Sequence, residues 1–474
     1  MSGSCLRTSR RTRSVPSRRL ASGQPRLDAI LGGGLIDPSI ALVAGLPGSG
    51  KTVLAQQYAF ANGTDQRPAV YLSTVAEPLS KILYFAEGLS FFDAGRIGHS
   101  VVFDDLGGSS DAEGLAGVLT RITELVERQP CSVLVIDSFR ALRYQSRNAG
   151  EFEGFIHELA GRLTATGTMA LWLGEYSQDE LASRPEFAIA DAAIVLATEE
   201  NGQRESRALR VLKLRGSGFR SGAHAYRIGV DGVEVFPRLS DVADTRYELG
   251  RQRASSAIPA LDQLLGDGYW PGSATLVIGP SGCGKTVMGL QFIFGGARAG
   301  EPGVFASLQE NRVQVERMIH GFGWNPDDPG AVVLCDSPND IYVDQWFYRL
   351  LDTLESVRAR RVVIDSLGDL AAACPDDKRF REFVYSLLNR CSRAGVSVLV
   401  TVESPELYGQ TRLSERGVSH LSDNVILLQY LRKDSTMSRA LTVLKTRASD
   451  HLPQTHEYEI THDGISIGKP VNPV

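Results

Sequence analysis

Apolar residues run along this chain in two rhythms that alternate with one another. Short unbroken runs, such as residues 132–136 (SVLVI) and 397–401 (SVLVT), have the length and β-branched content of strands buried on both faces. Between them lie stretches such as residues 116–129 (AGVLTRITELVERQ), where apolar positions return every three or four residues and predict amphipathic helices. This alternation predicts an α/β fold with parallel strands and helices on both faces of a doubly wound sheet.

The pattern occurs twice. GLPGSGKTVLAQQYAF (45–60) returns as GPSGCGKTVMGLQFIF (279–294), which sets Lys51 and Lys285 234 residues apart. VIDS at 135–138 returns at 363–366, offset by 228, and LKLR at 212–215 returns as LKTR at 444–447, offset by 232. Three landmarks in one order at nearly equal offsets predict tandem copies of one domain. The lead-ins agree as well: RLDAILGGGLIDPSIALVAG (26–45) answers ALDQLLGDGYWPGSATLVIG (260–279). Residues 238–256 are polar, charged and without apolar periodicity, so the junction is expected there. The expected organisation is a disordered Arg/Ser-rich tail over 1–18, one domain over 19–245 and a second over 246–474.

Composition narrows the class. With 474 residues, 43% of them hydrophobic, the chain can bury two sizeable cores. Its six cysteines contain no C-x-x-C pair, which argues against a zinc framework or disulfide scaffold and fits a reducing cytoplasm. No apolar run reaches the roughly 18 residues of a membrane span, so no membrane association is expected. Net charge is −5, yet residues 1–19 hold six arginines and no acid, which leaves the rest at −11. So acidic a body argues against a broad nucleic-acid surface.

Gly45-x-x-x-x-Gly50-Lys51-Thr52 and Gly279-x-x-x-x-Gly284-Lys285-Thr286 both have P-loop spacing. Glycines, including Gly48 and Gly282, let successive N–H groups curl round phosphates, with Ser49 and Cys283 at the last turn before the helix. The lysine is suited to the β- and γ-phosphates, and Thr52 and Thr286 to Mg²⁺. Arginine outnumbers lysine 42 to eight, yet four lysines fall in the P-loops and the LKxR motifs; a compact ammonium fits where a guanidinium fork does not. Asp137 and Asp365 end apolar strands in VIDS and are expected to complete the metal site, although an aspartate there is also a common helix N-cap. Glu175 and Glu403 end further strands and suit either a γ-phosphate sensor or a cap.

The tandem halves, the GGGL run before the first P-loop, VIDS, LKLRG and VSHLSDNVILLQY together resemble the KaiC-like family of ATPases and autokinases. The resemblance runs from about Arg19 to about Gly468. It implies two RecA-like domains, ATP and Mg²⁺ as cofactors, and a hexameric self-assembly with ATP at subunit interfaces. It further implies that Lys213 and Arg215, and Lys445 and Arg447, reach the neighbouring subunit's nucleotide. From the residues alone, K-x-R equally suits a strand with outward charges.

Departures from the family pattern are as informative. The family's adjacent glutamates correspond to Gln309-Glu310 in the second copy and Val75-Ala76 in the first, where Glu77 comes one position late. A one-residue displacement on extended backbone points a side chain the other way. The expectation is therefore that the second copy turns ATP over, with Glu310 as base and Lys285 essential, while the first, through Lys51, mainly holds it. The family's Ser-Thr acceptor pair corresponds to Ser419-His420, which leaves Ser419 as the candidate phospho-acceptor. A nucleotide-assembled scaffold with little turnover is the alternative reading, and a DNA-acting ring a remoter one.

Overall fold

The computed structural model describes residues 18–74, 79–201, 204–239, 250, 252–339, 341–374, 376–404, 421–433, 436–447 and 449–471. Val75, Ala76, Glu77, Ser419, His420 and all of the tail but Arg18 lie outside the described residues. The chain divides into two compact units between Arg238 and Leu239.

In the first unit β1 (Arg18–Leu20) and β2 (Leu35–Asp37) pair as a small antiparallel ribbon. Arg18, which the sequence pattern leaves in the tail, is thus the first residue of a strand, held by an ion pair with Asp37 at 3.0 Å. The main sheet comprises β3 (Ile40–Gly45), β4 (Ala69–Ser73), β5 (Val101–Asp105), β6 (Val133–Asp137), β7 (Ala170–Gly174), β8 (Ala192–Asn201), β9 (Arg204–Leu214), β10 (Ala223–Gly229) and β11 (Gly232–Phe236). Their spatial order is β11-β10-β9-β8-β3-β7-β6-β4-β5. Helices α1 (Pro25–Ile30), α2 (Lys51–Asn62), α3 (Leu79–Ala86), α4 (Gly107–Arg128), α5 (Ala149–Ala165) and α6 (Pro185–Ile189) accompany the sheet.

The second unit repeats this plan. Strands β12 (Ala274–Gly279), β13 (Gly303–Ser307), β14 (Ala331–Cys335), β15 (Arg361–Asp365), β16 (Ser397–Glu403), β17 (Asn424–Lys433), β18 (Thr436–Thr446), β19 (Thr455–Thr461) and β20 (Gly464–Pro470) take the order β20-β19-β18-β17-β12-β16-β15-β13-β14. Its helices are α7 (Pro259–Leu264), α8 (Lys285–Arg298), α9 (Arg312–Gly321), α10 (Val343–Ser356), α11 (Leu367–Ala372) and α12 (Asp377–Arg393).

Each central strand, β3 or β12, is buried at all six positions, as its unbroken apolar run requires. Successive residues serve opposite cores. Ala41 and Val43 pack with Leu54, Tyr58 and Tyr71, whereas Leu42 and Ala44 pack with Phe139, Phe155 and Trp172. Phe139 stacks on Trp172 with centroids 4.1 Å apart, filling the second core with two flat rings.

Each sheet is mainly parallel, as the alternation predicts, with an antiparallel portion at one side that the alternation alone does not specify. β3 to β8 are mutually parallel neighbours, but β9, β10 and β11 are antiparallel, as are β18, β19 and β20. The reason is chain length: β8 ends at Asn201, β9 begins at Arg204, and those two residues face each other. A parallel return needs a crossover of about a dozen residues or more, so this connection can only be a hairpin. The predominantly parallel α/β class holds for both units.

Candidate nucleotide-binding sites

β3 connects onward to β4 on one side of it, whereas the adjacent β8 connects to β9 on the other, so the carboxyl end of β3 beside β8 is a switch point of the kind where α/β sheets open a crevice. There the chain leaves β3 at Gly45, curls through Leu46 to Gly50, and enters α2 at Lys51. Gly50 stands at φ +88° and its counterpart Gly284 at φ +96°. That left-handed backbone is what demands glycine; a Cβ there would also lie 2.6 Å from Ile228 Cδ1, or 2.8 Å from Ile460 Cδ1, and would push those side-chain ends aside.

The lysines fold back over their loops. Lys51 Nζ donates to the carbonyls of Gly45 (2.9 Å) and Leu46 (3.0 Å); Lys285 Nζ donates to Gly279 (2.9 Å) and Pro280 (2.8 Å). Burial lowers the pKa of the Lys51 ammonium, against the opposing pull of Glu175 and then Asp137. Thr52 Oγ1 donates to Asp137 Oδ2 and Thr286 Oγ1 to Asp365 Oδ2, both at 2.8 Å. P-loop lysine, helix-start threonine and strand-end aspartate thus converge in both units, as their spacing predicts.

This convergence fits a magnesium nucleotide. A hydroxyl beside a carboxylate is a hard oxygen pair, suited to a cation that keeps most of its waters and binds phosphates as well. Gly48 has open space where a Cβ would stand, and the loop's amides precede a helix N-terminus that favours anions. The buried Ser49 Oγ has no hydrogen-bond partner, a polar atom left over inside the loop. Among the described residues, no three His, Cys, Asp or Glu side chains gather as a separate metal cage.

Two tyrosines, not anticipated from the motifs, brace the loops from behind. Tyr226 on β10 donates to the Ser49 carbonyl at 2.7 Å, and Tyr458 on β19 donates to the Cys283 carbonyl. Both are buried, and burial raises both phenols, Tyr226 to about 12. Burial also pushes up the Cys283 thiol. The signal was there: YRI at 226–228 and YEI at 458–460 repeat at offset 232, the offset of LKxR.

The flanking glutamates lie at the same end of the sheet. Glu403 is opposite Gly279 on the neighbouring strand, and Ser404 N donates to the Gly279 carbonyl at 3.0 Å. Glu175 follows β7 and its carbonyl accepts from Arg140, which also forks onto Glu180 at 2.8 and 2.9 Å. Glu310 stands three residues beyond Ser307, the register partner of Asp365, and its N–H donates to Ser307 Oγ at 3.0 Å.

The LKxR cations are not brought to the P-loop of their own unit. Lys213 lies opposite Ala193 near the start of β8, whereas Gly45 lies opposite Leu196 further along. Its ammonium donates away from the loop, to the carbonyls of Phe187, Ala188 and Ala190 at 3.3, 3.0 and 2.5 Å. Arg215 pairs with Asp191 at 3.3 Å. In the second unit Lys445 donates to the Ser422 carbonyl at 2.6 Å, and Arg447 faces Asp423 at 3.8 Å. Burial lowers the pKa of both lysines, and the arginine two residues on lowers it further.

Fold and site together define a tandem P-loop ATPase. A model of the KaiC ATPase family matches the chain twice, over residues 20–240 and 254–472, and the chain belongs to that family. Among curated proteins, the circadian clock oscillator protein KaiC of Rippkaea orientalis is 28% identical, covering 98% of this chain and 91% of its own length. The circadian clock protein KaiC3 of Synechocystis sp. is 27% identical over 95% of this chain and 92% of its own. The circadian clock oscillator protein KaiC 1 of the same organism is 28% identical over 93% and 87%.

Proposed function

We propose that each unit binds Mg-ATP at its P-loop, that the second unit hydrolyses it, and that copies of the chain assemble as a ring with nucleotide between subunits. The observation that carries this reading is the duplicated arrangement of lysine, threonine and aspartate, with the same 2.8 Å threonine–aspartate contact in both units. Bound Mg²⁺ would supply charge stabilisation at the phosphates. Thr52 with Asp137, and Thr286 with Asp365, would hold it; Lys51 and Lys285 would swing from their loop carbonyls to the β- and γ-phosphates.

Lys213, Arg215, Lys445 and Arg447 are directed away from their own P-loops, which supports a role on a neighbouring subunit's nucleotide. A cation reaching in there stabilises the charge that develops on the transferred phosphoryl group. Glu310, three residues past the end of the strand that neighbours that of Asp365, is the group proposed to orient and deprotonate the attacking water. The same base would serve Ser419 if the second unit phosphorylates itself.

The test is steady-state ATP turnover by the wild type, Lys51→Ala, Lys285→Ala and Glu310→Gln. Losing a positioned base typically costs about 10²–10⁴ in rate, so Glu310→Gln and Lys285→Ala remove most turnover and Lys51→Ala little. Intact mass after the same incubation, with Ser419→Ala alongside, reads the autokinase step. No turnover in the wild type would leave a nucleotide-assembled scaffold.

A further inference from the structure

The aspartate of each unit accepts a second hydroxyl besides that of the P-loop threonine, and the two units take it from opposite sides. In the first, Tyr71 of β4 donates to Asp137 Oδ2 at 2.5 Å. In the second, Thr401 of β16 donates to Asp365 Oδ1. The remaining two places of this reciprocal pair are apolar: Phe305 stands where Tyr71 would be, and Leu173 where Thr401 would be.

Register establishes the equivalence. Tyr71 faces Val135 and Phe305 faces Val363, each two residues before the aspartate on the adjacent strand. On the other flank Leu171 faces Val135 and Leu399 faces Val363, so Leu173 and Thr401 continue to the level of the aspartates. Two residues along a strand is about 6.6 Å. A side chain starting that far below needs the length of a phenol to reach, whereas one alongside needs only a short hydroxyl. Each residue type matches its distance. Tyr71, Leu173, Phe305 and Thr401 are all buried, so each hydroxyl acts in a dry setting, where a charge-assisted bond to a carboxylate is strong.

We infer that Tyr71 and Thr401 are positioning residues for Mg-nucleotide: each fixes the orientation of its aspartate toward the cation, and either flank of the sheet can supply the hydroxyl. This rests on the reading of Thr52–Asp137 and Thr286–Asp365 as the metal sites. Groups that orient metal-binding carboxylates typically cost about 10- to 100-fold in metal affinity when removed.

The experiment uses the full chain and a fluorescent ATP analogue, titrated with Mg²⁺ and, separately, in EDTA. A Lys285→Ala background isolates the first site and a Lys51→Ala background the second. Tyr71→Phe and Thr401→Val each should raise the Mg²⁺ concentration for half-maximal binding by about tenfold, while affinity in EDTA stays at its background value. Phe305→Tyr added to Thr401→Val should restore the Mg²⁺ requirement, because it places a phenol on Asp365 as Tyr71 does on Asp137. A role in packing alone predicts equal losses with and without Mg²⁺ and no rescue; that result overturns the inference. Asp137→Ala in the first background separates the two levels. If it abolishes the Mg²⁺ response while Tyr71→Phe leaves it unchanged, the positioning role fails. If Asp137→Ala itself leaves the response intact, the metal-site reading beneath it fails.

Discussion

Removing one oxygen atom from Tyr226 tests whether the shape of the first P-loop is maintained from behind. Tyr226→Phe keeps the ring that packs in the core and deletes the hydroxyl that donates to the Ser49 carbonyl at 2.7 Å. Because burial holds that phenol at about 12, it is a donor throughout the neutral range. The bond is buried, so its loss leaves a carbonyl without its partner just before Gly50, where the chain already takes a left-handed turn. A buried acceptor left unsatisfied costs about 1–3 kcal/mol.

That cost has two places to fall. Borne by the folded unit as a whole, it lowers Tm by roughly 2–4 °C per kcal/mol for a domain of this size. Borne by the loop's phosphate-ready shape, it weakens nucleotide by about five- to hundredfold, at 1.4 kcal/mol per factor of ten. Since the carbonyl belongs to the loop that would enclose the phosphates, we expect both, with saturating Mg-ATP recovering part of the lost Tm by linkage. Calorimetric titration of Mg-ATP into Tyr226→Phe on a Lys285→Ala background reads the first site, and scanning calorimetry reads the unit. Tyr458→Phe on a Lys51→Ala background should behave alike. A lowered Tm with unchanged affinity would show that the tyrosine supports the core only, and would refute the bracing argument.

Two further outcomes follow from charge. Glu180 accepts from Arg140, from the Ser177 N–H and from Arg184, which together hold its carboxyl at about 2 against the ordinary 4.5. The unfolded chain therefore takes up that proton first; the stabilisation is complete above about 4.5 and is lost as pH falls through about 2. Tm of the wild type should then fall more steeply with acid than that of Glu180→Gln, and parallel curves would contradict the pairing. Light scattering should show Mg-ATP driving assembly of the wild type and less of it in Lys213→Ala; a monomer in both conditions would sink the trans role of the LKxR cations.

What could be read from the chain and what could not divide along a physical line. The P-loops and VIDS were legible because their chemistry is local: a strand end, four turn residues and a helix start lie consecutively, and spacing alone brings Lys51 over Gly45. The LKxR motif was legible as a repeat but not as a direction. Only the antiparallel course of β9, forced by its hairpin with β8, sends Lys213 toward the carbonyls ahead of β8 and away from its own loop. Tyr71 and Thr401 left no repeated signature, because the two units place a hydroxyl on equivalent aspartates from non-equivalent strands. A repeat search rewards identity at matching positions, and here each position pairs unlike residues, Tyr71 with Phe305 and Leu173 with Thr401. What the two units share is the hydrogen bond to the carboxylate, and a bond made between strands is visible only once the strands are side by side. The same reasoning explains why Tyr226 and Tyr458 could have been found: they brace equivalent loops from equivalent strands, so the constraint left the same residue at the same offset twice.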